Sequence, residues 1–319
     1  MVGIRGLTLL LGRRRTRHKR LIMHMNVTHN EFLPYIFLSL ALLLLWLRGQ
    51  QNTFLRHAWL MALAIATLIA LVQHLIEPIA SVVMLLVAGL ALSANNRHLH
   101  KTWRLLAGIA FIISVLALGL HLMPGFHSLP VIQDTALTPD ATPYSLYLNF
   151  DKTLIGLFIL GLWYQRPAKP QSWTATGITL AWILPLIIAS VIILSALFNY
   201  IRFEPKLIDH LWLWIWANLF LTCTAEEAFF RGLIQHLLAN LLANKPGGEW
   251  FAVSSAAILF GLAHLGGGWT YVLLAIVAGL GYGILYKQTG RIEASIAGHF
   301  GLNLVHILLF TYPALAMNP

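Results

Sequence analysis

From 211 to 244 the chain runs apolar and without proline, long enough to cross a bilayer as one helix. Its only charges, Glu226, Glu227 and Arg231, lie near the middle of that run. A charge at the bilayer centre costs roughly 2.5–3.5 kcal/mol on insertion scales. Any fold that holds this run must therefore pair, hydrate or bury three charges inside a bundle. Arg231 stands four residues after Glu227, on the same helix face, so those two can pair. Glu226 is turned about 100° away and has no partner on its own helix. An ionisable group in that position marks a functional site.

The rest of the chain supplies the bundle. Of 319 residues, 58% are hydrophobic and 10% charged, and the mean hydropathy is +0.75. Soluble domains carry about 25% charged residues, so the chain reads as an all-α polytopic transmembrane helix bundle. Ten apolar segments lie at roughly 32–47, 58–76, 79–94, 104–122, 146–164, 175–198, 211–241, 251–265, 269–286 and 292–311. Several fall short of a perpendicular span, so about 8–10 crossings are expected. No internal repeat is visible. The organisation reads as a basic N-terminal arm over 1–30, N-terminal transmembrane helices over 31–200, and a last unit over 201–319. The one cysteine, Cys223, excludes an internal disulfide and any cysteine-based zinc site, and reads as a small packing residue. The 14 histidines are scattered, with no H-E-x-x-H motif.

The net charge of +10 is misleading. Seven of the 21 Lys and Arg residues fall in the first twenty positions, where there is no acid. The remainder is nearly balanced, and no nucleic-acid partner is expected. Loop by loop, the positive-inside rule places Arg97, Lys101 and Arg104 in the cytoplasm. The same holds for Arg166 with Lys169, for Lys245, and for Lys287 with Arg291. The long polar connection 124–143 has no Lys or Arg and falls outside. Alternation back to the start puts Arg48 and Arg56 inside and the N-terminus outside, against the basic arm. A natural start at Met23 or Met25 resolves the conflict and makes residues 1–24 disordered and dispensable. The alternative is a first segment that does not fully span.

Three polar patterns recur in the last third: Glu226-Glu227 with Arg231, His264 near the end of the eighth segment, and His299 with Asn303 in the tenth. At 1.5 Å per residue, Glu226 lies about 22 Å from the inner end of its span, His264 about 20 Å, Asn303 about 18 Å and His299 about 12 Å. Antiparallel neighbours thus bring these groups near one level. Other polar residues have simpler readings. His74, His121, His236 and His306 read as interhelical hydrogen-bonding groups, and Asp151 and Lys152 as interfacial residues. Glu293 suits a helix start. Gly279, Gly281 and Gly283, with Ala275 and Ala278, make a small-residue packing face.

E-E-x-x-x-R, F-x-x-x-H and H-x-x-x-N, in this order on three hydrophobic helices, resemble the CPBP family of intramembrane proteases (CAAX protease and bacteriocin-processing, also ABI), which includes the type II CAAX prenyl endopeptidases. The likeness covers roughly 210–311, making 201–319 the catalytic helices. It implies that Glu226 activates water with His264 assisting, that His299 and Asn303 stabilise the oxyanion, and that Glu227 and Arg231 form a supporting pair. The family has been described both as metalloprotease and as glutamate-dependent protease. If zinc were bound, Glu226, His264 and His299 would be its ligands. The absence of H-E-x-x-H and the presence of Asn303, a poor zinc ligand and a good oxyanion donor, favour the metal-free form. The expected substrate is a membrane protein or lipidated peptide, met in the lipid bilayer of a bacterial inner membrane. Two other readings stand beside this one: a non-catalytic membrane scaffold of the same fold, and a proton-coupled transporter that relays protons through Glu226 and the histidines.

Overall fold

The computed structural model describes residues 29–49, 52–165, 167 and 169–316. The basic arm, and with it the expectation about residues 1–24, lies outside the described residues apart from His29 and Asn30.

Each of the ten apolar segments becomes helical. The helices are α1 (Leu33–Leu44), α2 (Thr53–Val72), α3 (Pro78–Asn95), α4 (Lys101–Gly119), α5 (Phe150–Phe158) and α6 (Trp173–Leu197). Next come α7 (211–241), α8 (Gly248–Leu262), α9 (Gly268–Thr289) and α10 (Ile292–Leu309). Their starts follow ordinary rules. Pro34 and Pro78 sit in the first turns of α1 and α3, where a missing N–H costs nothing. The side chains of Asn52 and Ser172 accept from the first free N–H groups of α2 and α6.

Among the described residues, seven helices are long and apolar enough to cross a membrane, and α8 is a shorter apolar helix. Of the other two, α5 runs on into a π-helical turn at Ile159–Trp163, and α7 contains π-helical turns at Ala217–Cys223 and Ala228–Gln235. The chain is thus an integral membrane protein with an all-α bundle. Its outer surface is apolar where lipid would lie: Leu68, Leu85, Trp182 and Leu186 are all more than half exposed.

Two features depart from the sequence reading. The 124–143 connection is not irregular throughout. It leads into an antiparallel hairpin of β1 (Leu129–Thr135) and β2 (Tyr144–Leu148), in register Leu129 with Leu148 and Ile132 with Leu146. Leu129, Val131, Ile132, Leu146 and Leu148 are buried beneath it, and bulges interrupt the pairing. The second departure is a correction. Asp151 and Lys152 are not interfacial. Asp151 is buried in the first turn of α5, where its carboxylate accepts from His121 Nδ1 at 2.8 Å, and Lys152 points into the bundle. Partners from distant parts of the chain, His121 and Glu226, make this turn interior, which hydropathy alone cannot show.

The two ends of the bundle are knitted separately. At one end, backbone hydrogen bonds join Glu77 to Gly125, Thr142 to Ala314, Thr311 to Arg202 and Leu315 to Tyr200. The Gln73 side chain also donates to the carbonyl of Asn30 there. At the other end, Trp46 Nε1 donates to Glu293, Asn95 Nδ2 to the Leu162 carbonyl, and Arg291 Nε to the Gln171 carbonyl.

Close approach of helices depends on small residues. A Cβ at Gly156 of α5 would meet Ala225 Cα of α7 at 3.6 Å, and one at Gly281 of α9 would meet Ile187 of α6 at 2.4 Å. Overpacking a tight contact costs about 1–3 kcal/mol. Gly281→Val should therefore lower the melting temperature of the purified protein in detergent. Gly177→Ala, where an added Cβ meets nothing within 4 Å, should leave it unchanged or raise it.

Candidate active site

The core of the site is a buried charge network on α7. Arg231 and Glu227 are both fully buried and joined at 3.0 Å, one helical turn apart. Arg231 also donates to the carbonyl of Gly279 at 2.8 Å, and its guanidinium lies over the rings of Phe260 and Tyr282 at 5.0 and 5.3 Å. The carboxylate and the aromatic faces together offset the desolvation of the cation. His299, from α10, joins the same network: its Nδ1 lies 2.9 Å from Glu227 Oε1. A carboxylate held by arginine accepts, so Nδ1 carries the proton, an assignment made from the hydrogen-bond network. The ring stacks on Tyr282 at 4.7 Å between centroids.

This fixes where the other nitrogen points. His299 Nε2 lies 3.9 Å from Glu226 Oε2, so the imidazole bridges the two acids. The remaining Glu226 oxygen, Oε1, is held by Lys152 Nζ at 2.7 Å. The partner that Glu226 lacks on its own helix therefore comes from α5. Burial separates the two acids further. Glu227 is closed off completely, while the side chain of Glu226 is 16% exposed and opens onto a cavity.

That cavity encloses about 780 Å³. Glu226, His264, His299 and Asn303 all line it, with Asn218 and Tyr282. His264 lies just past the end of α8, where its Nδ1 donates to the Phe260 carbonyl at 2.7 Å. The proton is thus on Nδ1, leaving Nε2 to accept or to exchange a proton. Asn303 Nδ2 donates to Asn218 Oδ1 at 3.3 Å, and Cys223 Sγ donates to the same oxygen at 3.3 Å.

The π-helical turns of α7 produce this last arrangement. In an i→i+5 turn, residues five apart share a face. Cys223 reaches back to Asn218, and Thr224 reaches the carbonyl of Leu219 at 2.8 Å, each five residues earlier. An α-helical wheel would set Asn218 and Cys223 about 140° apart.

All six residues singled out from the sequence are thus gathered together. Four line the cavity, and Glu227 with Arg231 lies beneath it. Lys152 and Asn218 were missed. Asn218 was legible as an isolated amide in an apolar run. Lys152 carried no signal for Glu226, because 74 residues separate them. Among the described residues, no three His, Cys, Asp or Glu side chains converge as a metal-binding set. Lys152 places an ammonium against the acid that zinc would need, so the side chains as arranged do not fit the zinc set of Glu226, His264 and His299.

Removing one partner of a buried pair costs about 3–5 kcal/mol, because it strands the other charge. Arg231→Met should therefore cause a large loss of thermal stability in detergent. The double variant with Glu227→Gln should recover part of it, the charge having gone from both sides.

Residues 208–305 match the family model described as type II CAAX prenyl endopeptidase Rce1-like. No curated protein and no solved structure matches the chain.

Proposed function

With residues 208–305 forming an Rce1-like domain of the type II CAAX prenyl endopeptidase family, we propose that this chain is an intramembrane endopeptidase in which Glu226 activates water. The observation that carries the reading is the shared cavity: a carboxylate, two imidazoles and a carboxamide face one space inside a transmembrane bundle. Hydrolysis there needs a base for water and donors aimed at the developing oxyanion. Glu226 Oε1 is engaged by Lys152, which leaves Oε2 to take the proton. The water oxygen adds to the scissile carbonyl. The oxyanion is met by Asn303 Nδ2 and by His299 on its Nε2 side. His264, with Nε2 free, assists proton movement. Collapse breaks the C–N bond, and the proton held by Glu226 passes to the leaving amine.

In this reading Lys152 is a positioning residue. It orients the Glu226 carboxylate and balances its charge without touching the substrate. Residues 31–200 then have a catalytic use, as the scaffold that delivers Lys152, while 201–319 carry the remaining groups. The substrate is a membrane protein or a lipidated peptide, and the setting a bacterial inner membrane. Asn303, a poor zinc ligand, and the ammonium on Glu226 favour the metal-free form.

Glu226→Gln should abolish peptide release from a membrane-anchored substrate, and Asn303→Ala should slow it roughly 10²–10³-fold. Lys152→Met should lower kcat roughly tenfold to a hundredfold with KM nearly unchanged, and Lys152→Arg should restore part of the loss, since misplacing a catalytic group by about 1 Å has effects of that size. Purified active enzyme should contain no stoichiometric metal. One zinc per chain, with activity lost to chelation and restored by zinc, would overturn the glutamate mechanism. Undiminished peptide release by Glu226→Gln would overturn Glu226 as the base, and no release by the wild type would favour a scaffold.

A further inference from the structure

We infer that the cavity opens on the non-cytoplasmic face of the membrane, so that the peptide cleaved is a juxtamembrane segment on that face. The inference rests on the protease reading for its substrate half. Its orientation half rests on two independent observations, the position of the cavity mouth and the distribution of charge.

The connecting segments that line the cavity all come from one end of the bundle, and this end is its mouth. Its rim is formed by Phe198–Ile201 residues after α6, Gly266–Gly268 residues between α8 and α9, and Tyr312–Leu315 residues after α10, with Thr142 from the hairpin connection. These segments are cross-linked: Thr142 N donates to the Ala314 carbonyl, and Leu315 N to the Tyr200 carbonyl. Glu226 and His299 lie at the floor. The opposite end is closed by a separate set of contacts, in which Gln171 bonds Thr289 and Arg291, and Lys287 pairs with Glu249 at 2.8 Å.

Charge divides along the same line. The α1–α2, α3–α4, α5–α6, α7–α8 and α9–α10 connections and the helix ends beside them, all at the closed end, carry among the described residues Arg48, Arg56, Arg97, Lys101 and Arg104, then Lys169, Lys245, Lys287 and Arg291. Only Glu249 and Glu293 oppose them there. At the mouth end the basic residues are Lys152, Arg202 and Lys206, against Glu31, Glu77, Asp134, Asp140, Asp151, Glu204 and Asp209. Short connections rich in Lys and Arg stay in the cytoplasm, so five basic turns place the closed end there. The mouth then faces the other side. In the sequence the seven Lys and Arg of the first twenty positions stand against this assignment, since α1 begins at the mouth end, beside Gln73.

The location of the mouth limits the substrate. A cytosolic C-terminal tail would have to cross the bilayer to reach Glu226. A polypeptide anchored in the membrane and exposed on the non-cytoplasmic side enters between the aromatic rim residues, Tyr200, Tyr271 and Tyr312. Aromatic residues at such a rim sit at headgroup level, which suits a segment close to its own membrane anchor.

The test uses the full chain in intact cells and two reporter cysteines. Cys223 is fully buried and can be kept. Leu207, 85% exposed at the mouth end, becomes Leu207→Cys, and the exposed His98 of the α3–α4 turn becomes His98→Cys. A membrane-impermeant maleimide should label Leu207→Cys in intact cells as fully as after permeabilisation, and His98→Cys only after permeabilisation. The reverse pattern would overturn the orientation and show that the basic arm decides it. Membrane peptides from wild-type cells are then compared with those from Glu226→Gln cells. Cleavage sites gained by the wild type should map to non-cytoplasmic juxtamembrane segments. Sites on cytoplasmic tails would overturn the substrate class. No difference between the two peptide sets would overturn the protease reading, and the labelling pattern would still report which way the cavity opens.

Discussion

The structure depends on how Arg231 is buried. A guanidinium cannot be deprotonated in a protein interior, so it must be satisfied where it stands. Glu227, the Gly279 carbonyl and the faces of Phe260 and Tyr282 meet it from three helices. Satisfying that one cation ties α7 to α8 and α9. Through Glu227 it also orients His299, which belongs to α10. The catalytic unit is thus assembled around a pair that never reaches the cavity. Buried ion pairs are weak evidence for net stability, but removing one partner is costly. Here that cost acts as a constraint on geometry: four helices must keep their register for the network to close.

Two adjacent acids therefore have different lives. Glu227 is turned inward, its Oε1 accepting from both Arg231 and His299, and it has no access to the cavity. Glu226 is rotated by one residue, touches Lys152 with one oxygen, and faces open space with the other side of its carboxylate. The histidines divide in the same way. The Nδ1 of each is occupied, by Glu227 in His299 and by a carbonyl in His264, so the Nε2 of each is the atom with chemistry left to do. Holding one nitrogen of each ring fixes where the other points before a substrate arrives.

Much of this was legible from residue order. Ten apolar stretches specified ten helices, because a backbone in hydrocarbon has to satisfy its own hydrogen bonds. The i,i+4 spacing of Glu227 and Arg231 specified their pairing, because both lie on one face of one helix. His299 and Asn303 shared a helix face for the same reason. Short-range geometry is written into spacing, and a charged residue in an apolar run declares that a partner exists.

What spacing cannot carry is the identity of a partner from elsewhere in the chain. Lys152 and Asp151 read as interfacial, since a charged pair near the end of an apolar segment ordinarily sits at the water boundary. Only the packing of α5 on α7, close at Gly156, and the pairing of Asp151 with His121 made them interior. The π-helical turns of α7 were equally hidden, and with them the convergence of Asn218, Cys223 and Asn303 on one spot. The sequence by itself determined which groups had to be buried and which of them could pair along one helix. The tertiary structure decided which acid faces the cavity, which lysine holds it, and at which end of the bundle the cavity opens, because those follow from contacts between helices that no local periodicity encodes.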